Sequence, residues 1–150
     1  MTLGNHHCIS TGIVFALVFA FASPGLSQSS KPGRDSAAIN RKIQQSANLQ
    51  RQALEALSDP ARAEKLVKNA YVQLKSAHDD LVINSTIASP PDALLNLSTR
   101  KAYEALTHVQ GAVDALSTRD RTGAETAIGI ARDRLQQALR ITNTLAATGF

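Results

Sequence analysis

The sequence predicts an all-α fold: an up-down-up-down antiparallel four-helix bundle preceded by a cleavable signal peptide. Three observations carry that expectation. There is one ten-residue apolar run near the N-terminus, four later segments place apolar residues at alternating steps of four and three, and Pro- or Asp-marked breaks separate those segments. No stretch shows the period-two alternation of a half-buried strand.

The apolar run, "IVFALVFAFA", occupies residues 13–22, with Thr11 and Gly12 diluting it upstream and Pro24 and Gly25 breaking any helix downstream. A membrane-spanning helix needs about 20 apolar residues, whereas runs of about 10 to 14 suit a signal-peptide core. Small residues stand where a signal peptidase requires them, in Ala20-Phe21-Ala22 and in Gly25-Leu26-Ser27. The expected assignment is therefore a signal peptide over 1–27, cleaved after Ser27, with Ala22 as the alternative site. The opening "MTLGNHH" lacks the usual Lys or Arg, which keeps a retained anchor as the competing reading. Because Lys31, Arg34, Arg41 and Lys42 all follow the run, such an anchor would leave the remaining domain in the cytoplasm. Membrane association is expected only in that case.

Residues 28–35 are polar, contain Pro32 and Gly33, and read as a flexible linker; 36–150 is left as one domain, the bundle. The single cysteine, Cys8, lies within the leader, so export into a periplasmic or secreted setting leaves stability to packing and not to disulfides. All 16 Lys and Arg and all 12 Asp and Glu follow Ser27, giving that part of the chain the whole +4 charge. The two signs alternate and do not form a basic stripe, and Tyr71 and Tyr103 do not interleave with one, so no nucleic-acid binding is expected.

The first helix is expected over about 36–57, with a face of Ile43, Ala47, Gln50, Leu54 and Leu57. Asp59-Pro60 reads as N-cap and first position of the second helix, whose stripe is Ala63, Val67, Ala70, Leu74, Ala77 and Leu81, fading through residues 84–89. "SPPD" at 89–92 reads as a capping box with Ser89 as cap and Pro90 first in the third helix, which shows Ala102, Leu106, Val109, Val113 and Leu116. Either Ser117 with Asp120 or Thr122 with Glu125 opens the fourth, striped by Ile128, Ala131, Leu135, Ala138, Thr142 and Leu145. Short links make neighbouring helices antiparallel, hence the bundle. "KNAYVQL" at 68–74 and "RKAYEAL" at 100–106 share Ala-Tyr-x-x-Leu, but no longer period continues, so a solenoid is not expected.

Histidines are the first test of a metal or haem site in such a fold. Covalent haem attachment lacks its cysteines, and no methionine follows Met1 to serve as an axial ligand. His78, His108 and Glu104 remain as weak metal candidates. Pairing helices two and three about their turn sets His78 opposite residue 100 and His108 opposite residue 70, roughly 12 Å apart in level at 1.5 Å per residue. That is too far for one ion. Glu104 and His108 are one turn apart but fall off the apolar face, as an exposed helix pair would. Gln50, on an otherwise apolar face, would either fix register from inside or sit at a partly exposed edge. Asn84-Ser85-Thr86 and Asn96-Leu97-Ser98 match the glycosylation sequon.

No phosphate-binding glycine loop, Gly-x-Ser-x-Gly elbow or His-Glu-x-x-His motif occurs. The expected function is thus binding or structural, with no enzyme activity and no cofactor, acting on a protein partner or as a homodimer. Ile39, Leu49, Ala53 and Ala56 widen the apolar side of helix one and are the expected interaction surface. The alternatives are a bundle that carries a metal or small ligand, and a membrane-anchored cytoplasmic domain.

Overall fold

A computed structural model describes residues 36–147; the expectations for the leader and the linker, and positions 148–150 of the expected bundle, lie outside them. The described residues form four helices and no strand: α1 (Ser36–Glu55), α2 (Pro60–Ile87), α3 (Ala93–Ser117) and α4 (Arg121–Ala147). Successive helices pack side by side and α1 also meets α4, so the contacts close a ring around one core. Of these four neighbouring pairs the α3–α4 contact is the most extensive and the α1–α4 contact the least. Within the described residues no helix is long and apolar enough to cross a membrane.

In α2, α3 and α4 the core follows the stripes read from the sequence, joined at their seams. Ala63, Val67, Ala70, Leu74, Ala77 and Leu81 of α2 are buried, as are Ala102, Leu106, Val109 and Leu116 of α3 and Ile128, Ala131, Leu135, Ala138 and Leu145 of α4. Alanine at so many of these positions lets helix axes approach closely, while Ile43, Leu74, Leu81, Leu95, Ile128 and Leu135 are the largest fully buried side chains. Val113 is only half-buried and packs at the margin.

Helix ends follow the local chemistry, with two departures from expectation. Asp59 caps α2 as anticipated, its carboxylate accepting from the Arg62 backbone N–H at 3.2 Å, with Pro60 in the first position. α1 stops at Glu55, because its last turn tightens: the Ala56 N–H is shared between the Gln52 and Ala53 carbonyls, and the Leu57 N–H reaches Leu54. Leu57 stays buried beyond the helix.

The third helix corrects the sequence reading. Its cap is Asp92, not Ser89, and the carboxylate accepts from Leu94 N–H at 2.8 Å and Leu95 N–H at 3.0 Å. Proline disfavours helical geometry in the residue before it, so Ser89 and Pro90, each followed by a proline, are kept out of the helix. The Ser89–Pro90 peptide is cis. The fourth helix is opened by Asp120, which accepts from Gly123 N–H at 2.9 Å; a Cβ at Gly123 would collide with that carboxylate. Neither proposed box forms as written, since Ser117 donates instead to the Asp114 carbonyl at the end of α3.

That end is a Schellman motif built without glycine. Arg119, in the left-handed region at φ 61°, donates to the Leu116 carbonyl, and Asp120 donates to Ala115 at 2.8 Å. Only residues 118–120 separate α3 from α4.

Candidate functional site

The metal candidates are drawn into unrelated contacts. His78, half-buried on α2, stacks obliquely on Tyr103 of α3 with ring centroids 5.8 Å apart, and its Nδ1 lies 3.6 Å from the Asp79 carboxylate. Tyr103 is three residues from the position expected opposite His78. Glu104 is surrounded by cations: Lys101 at 2.8 Å, Arg134 of α4 at 3.3 Å and Arg100 at 3.6 Å. The Lys101 hydrogen bond, reinforced by the charges of Lys101, Arg134 and Arg100, holds the Glu104 carboxyl below its ordinary range. Such a carboxylate acts as a clamp between α3 and α4. His108 is half-buried on α3. Among the described residues, no three His, Cys, Asp or Glu side chains converge on a metal-sized site, so His78, Glu104 and His108 are not brought together.

The interaction surface expected on α1 needs correction. Ile39, Ala53 and Ala56 are buried in the core, and Leu49 is half-buried. The inward seam of α1 runs through Ile39, Ile43, Ser46, Gln50 and Ala53, while Ala47 and Leu54 sit half-buried at its edge. The face expected from the sequence shares Ile43 and Gln50 with this seam but takes Ala47 and Leu54 where Ser46 and Ala53 stand, one residue or about 100° round the helix at those two positions. Ser46 is instead fully buried and donates to the Ala70 carbonyl of α2 at 2.9 Å. Gln50, also fully buried, donates to Ser46 Oγ at 3.2 Å and leaves its own Oε1 without a partner.

A second polar position lies at the end where Ser36, Ile39, Leu81, Asn84, Leu95, Thr142 and Leu145 enclose a cavity of about 10 Å³. Asn84 is 2% exposed with its Oδ1 unpartnered, and the space suffices for about one water molecule. Burial also removes Asn84 from use as a glycosylation acceptor in the folded chain. Asn96, in the other sequon, is exposed.

The outward side of α2 carries what the sequence reading missed. Val72 is 61% exposed and Ile83 and Ile87 are each 48% exposed. At 3.6 residues per turn they fall within about 60° of one another, on the side opposite Ala63 and Leu81. The signal was available: α2 is the least one-sided of the four helices, because it has apolar residues on two faces. Between Val72 and Ile83 lies an exposed pair, Lys75 and Asp79, 2.7 Å apart. Hydrogen bonding to Asp79 raises the Lys75 pKa, and the same bond lowers that of Asp79.

The chain matches no protein-family model, and its comparison with curated proteins and with solved structures gives no match either.

Proposed function

We propose that this is an exported helical-bundle protein, periplasmic or secreted, with a binding or structural role and no catalytic one. In this reading residues 1–27 are a signal peptide and 28–35 a lead-in to helices that run up-down-up-down. Support for that order comes from the two ends. Residues from the start of α1, the end of α2, the start of α3 and the end of α4 line the cavity at one end, and Asp59, Pro60 and Glu64 line one groove with Leu116 and Arg119 at the other.

The single observation that carries the interaction role is the exposed row Val72, Ile83 and Ile87 on a helix whose other side is already committed to the core. Isolated exposed apolar side chains are ordinary, but a row on one helix face is the form in which helices meet partners. By contrast, the buried hydroxyls of Ser46, Ser98 and Thr142 donate to helix carbonyls and so serve packing.

The test is site-specific photo-crosslinking in the host cell, with a benzophenone residue at position 83 and a control at exposed Glu125. Protein adducts from position 83 and few from 125 are expected. Equal, sparse yields at both positions would contradict the interaction role. Sequencing the N-terminus of the exported chain tests the rest: a start at Gln28 or Ser23 is expected, and a retained Met1 would remove the signal-peptide assignment.

A further inference from the structure

Building on the interaction reading, we infer that the partner on the outward face of α2 is a second copy of the same chain, docked antiparallel about a two-fold axis near Ala77. The face is self-complementary. Val72 and Ile83 stand eleven residues apart, close to three turns, so both point outward along one line about 16 Å long at 1.5 Å per residue. A two-fold axis midway between them sets Val72 against the partner's Ile83 at both ends of the contact.

The same axis sets Lys75 one residue, or about 1.5 Å along the helix, from the level of the partner's Asp79, within reach of an ion pair, and the reverse. Two intrahelical pairs, each 2.7 Å long and about half exposed, then become one alternating cluster of four charges. An isologous contact requires every group to meet its complement under one rotation, and this order of apolar, basic, acidic and apolar residues does so. Parallel docking would instead set Lys75 on Lys75 and Asp79 on Asp79.

Charge reversal followed by mixing tests this directly, using the full chain as its host delivers it. Sedimentation equilibrium of the wild type is expected to show a monomer–dimer equilibrium. Ile83→Lys should weaken dimerisation at least ten-fold with helix content unchanged. Lys75→Glu alone and Asp79→Lys alone should each be monomeric, because each sets like charges across the axis. Mixed in equal amounts, the two should form a heterodimer, a result that loss of the intrahelical pair cannot produce. A wild type that stays monomeric at hundreds of micromolar, or charge variants that remain monomeric when mixed, overturns the inference. If a charge variant loses its helix content, the wild-type and Ile83→Lys measurements still decide it. A monomeric wild type that nevertheless crosslinks to other proteins through position 83 refutes only the second-copy assignment and leaves the interaction role standing.

Discussion

α1 and α4 flank the same core and differ in what they bring to it. α4 is 27 residues long and buries Ala124, Ile128, Ala131, Leu135, Ala138, Thr142 and Leu145; its one polar contributor, Thr142, donates to its own helix at Ala138 and Leu139. α1 is 20 residues long and buries Ile39, Ile43, Ser46, Gln50 and Ala53, with Ser46 bonded across to α2 and one Gln50 acceptor left unpaired. The spacing of inward positions is alike, but the content is not. An apolar seam stabilises wherever it slides, whereas a polar one is favourable only in the register that pairs it. α4 thus supplies stability and α1 supplies alignment, at the cost of an uncompensated acceptor.

The contrast predicts unequal responses to substitution. The largest effect belongs to the α3–α4 side. Leu135 is 1% exposed, and Leu135→Ala is expected to cost about 2–5 kcal/mol in chemical denaturation, the range for a buried leucine that leaves a cavity. A loss under about 1 kcal/mol would mean that α4 does not anchor the core.

The polar seam of α1 should respond with opposite signs. Ser46→Ala removes a cross-helix bond and strands the Gln50 amide, and is expected to destabilise by about 1–2 kcal/mol. Gln50→Leu removes the unpaired acceptor and is expected to stabilise by about 1 kcal/mol. In the double variant the cost of Ser46→Ala should shrink, a non-additivity that a double-mutant cycle reads directly.

Helix ends give the next tier. Asp92→Ala, which removes two capping bonds, should cost about 1 kcal/mol. Arg119→Gly should raise stability by up to about 1 kcal/mol, because glycine adopts the left-handed backbone without a Cβ penalty. Loss of stability in that variant would show that the arginine side chain matters more than its backbone.

The smallest effect is electrostatic. Glu104 has its pKa lowered from 4.5, so its favourable contribution is present above that value and disappears as pH falls through the lower folded-state pKa. Glu104→Gln should therefore be less stable than wild type at neutral pH, by no more than about 1 kcal/mol for an accessible pair, and equal to it in acid. A gap that persists below that range would point to lost packing instead of lost charge.

How far the sequence foretold this molecule depends on how apolar each seam is. The α2, α3 and α4 stripes are legible because alanine, valine, leucine and isoleucine recur there at helical spacing, and all of these but the half-buried Val113 are buried as read. In α1 the sequence reading takes Ala47 and Leu54 in place of the buried Ser46 and Ala53, because a serine that bonds across helices looks like any exposed serine in one dimension. Its supposed outer strip of Ile39, Ala53 and Ala56 proved to be part of the inner seam. Asp59-Pro60 announced a helix start, while two successive prolines moved the next start from Ser89 to Asp92. The α3 terminus was hidden by Arg119, which stands where glycine is the usual marker. The exposed row on α2 is masked in the sequence because this helix carries two apolar stripes, and the inner one alone accounts for a helical period.

Native-state hydrogen exchange, followed amide by amide, tests the division of labour between α1 and α4 most directly. Amides of the Ser46–Ala53 stretch are expected to open at markedly lower free energy than those around Leu135 and Ala138, which should exchange only through global unfolding. Equal protection along both helices, shifted together by Gln50→Leu, would contradict it.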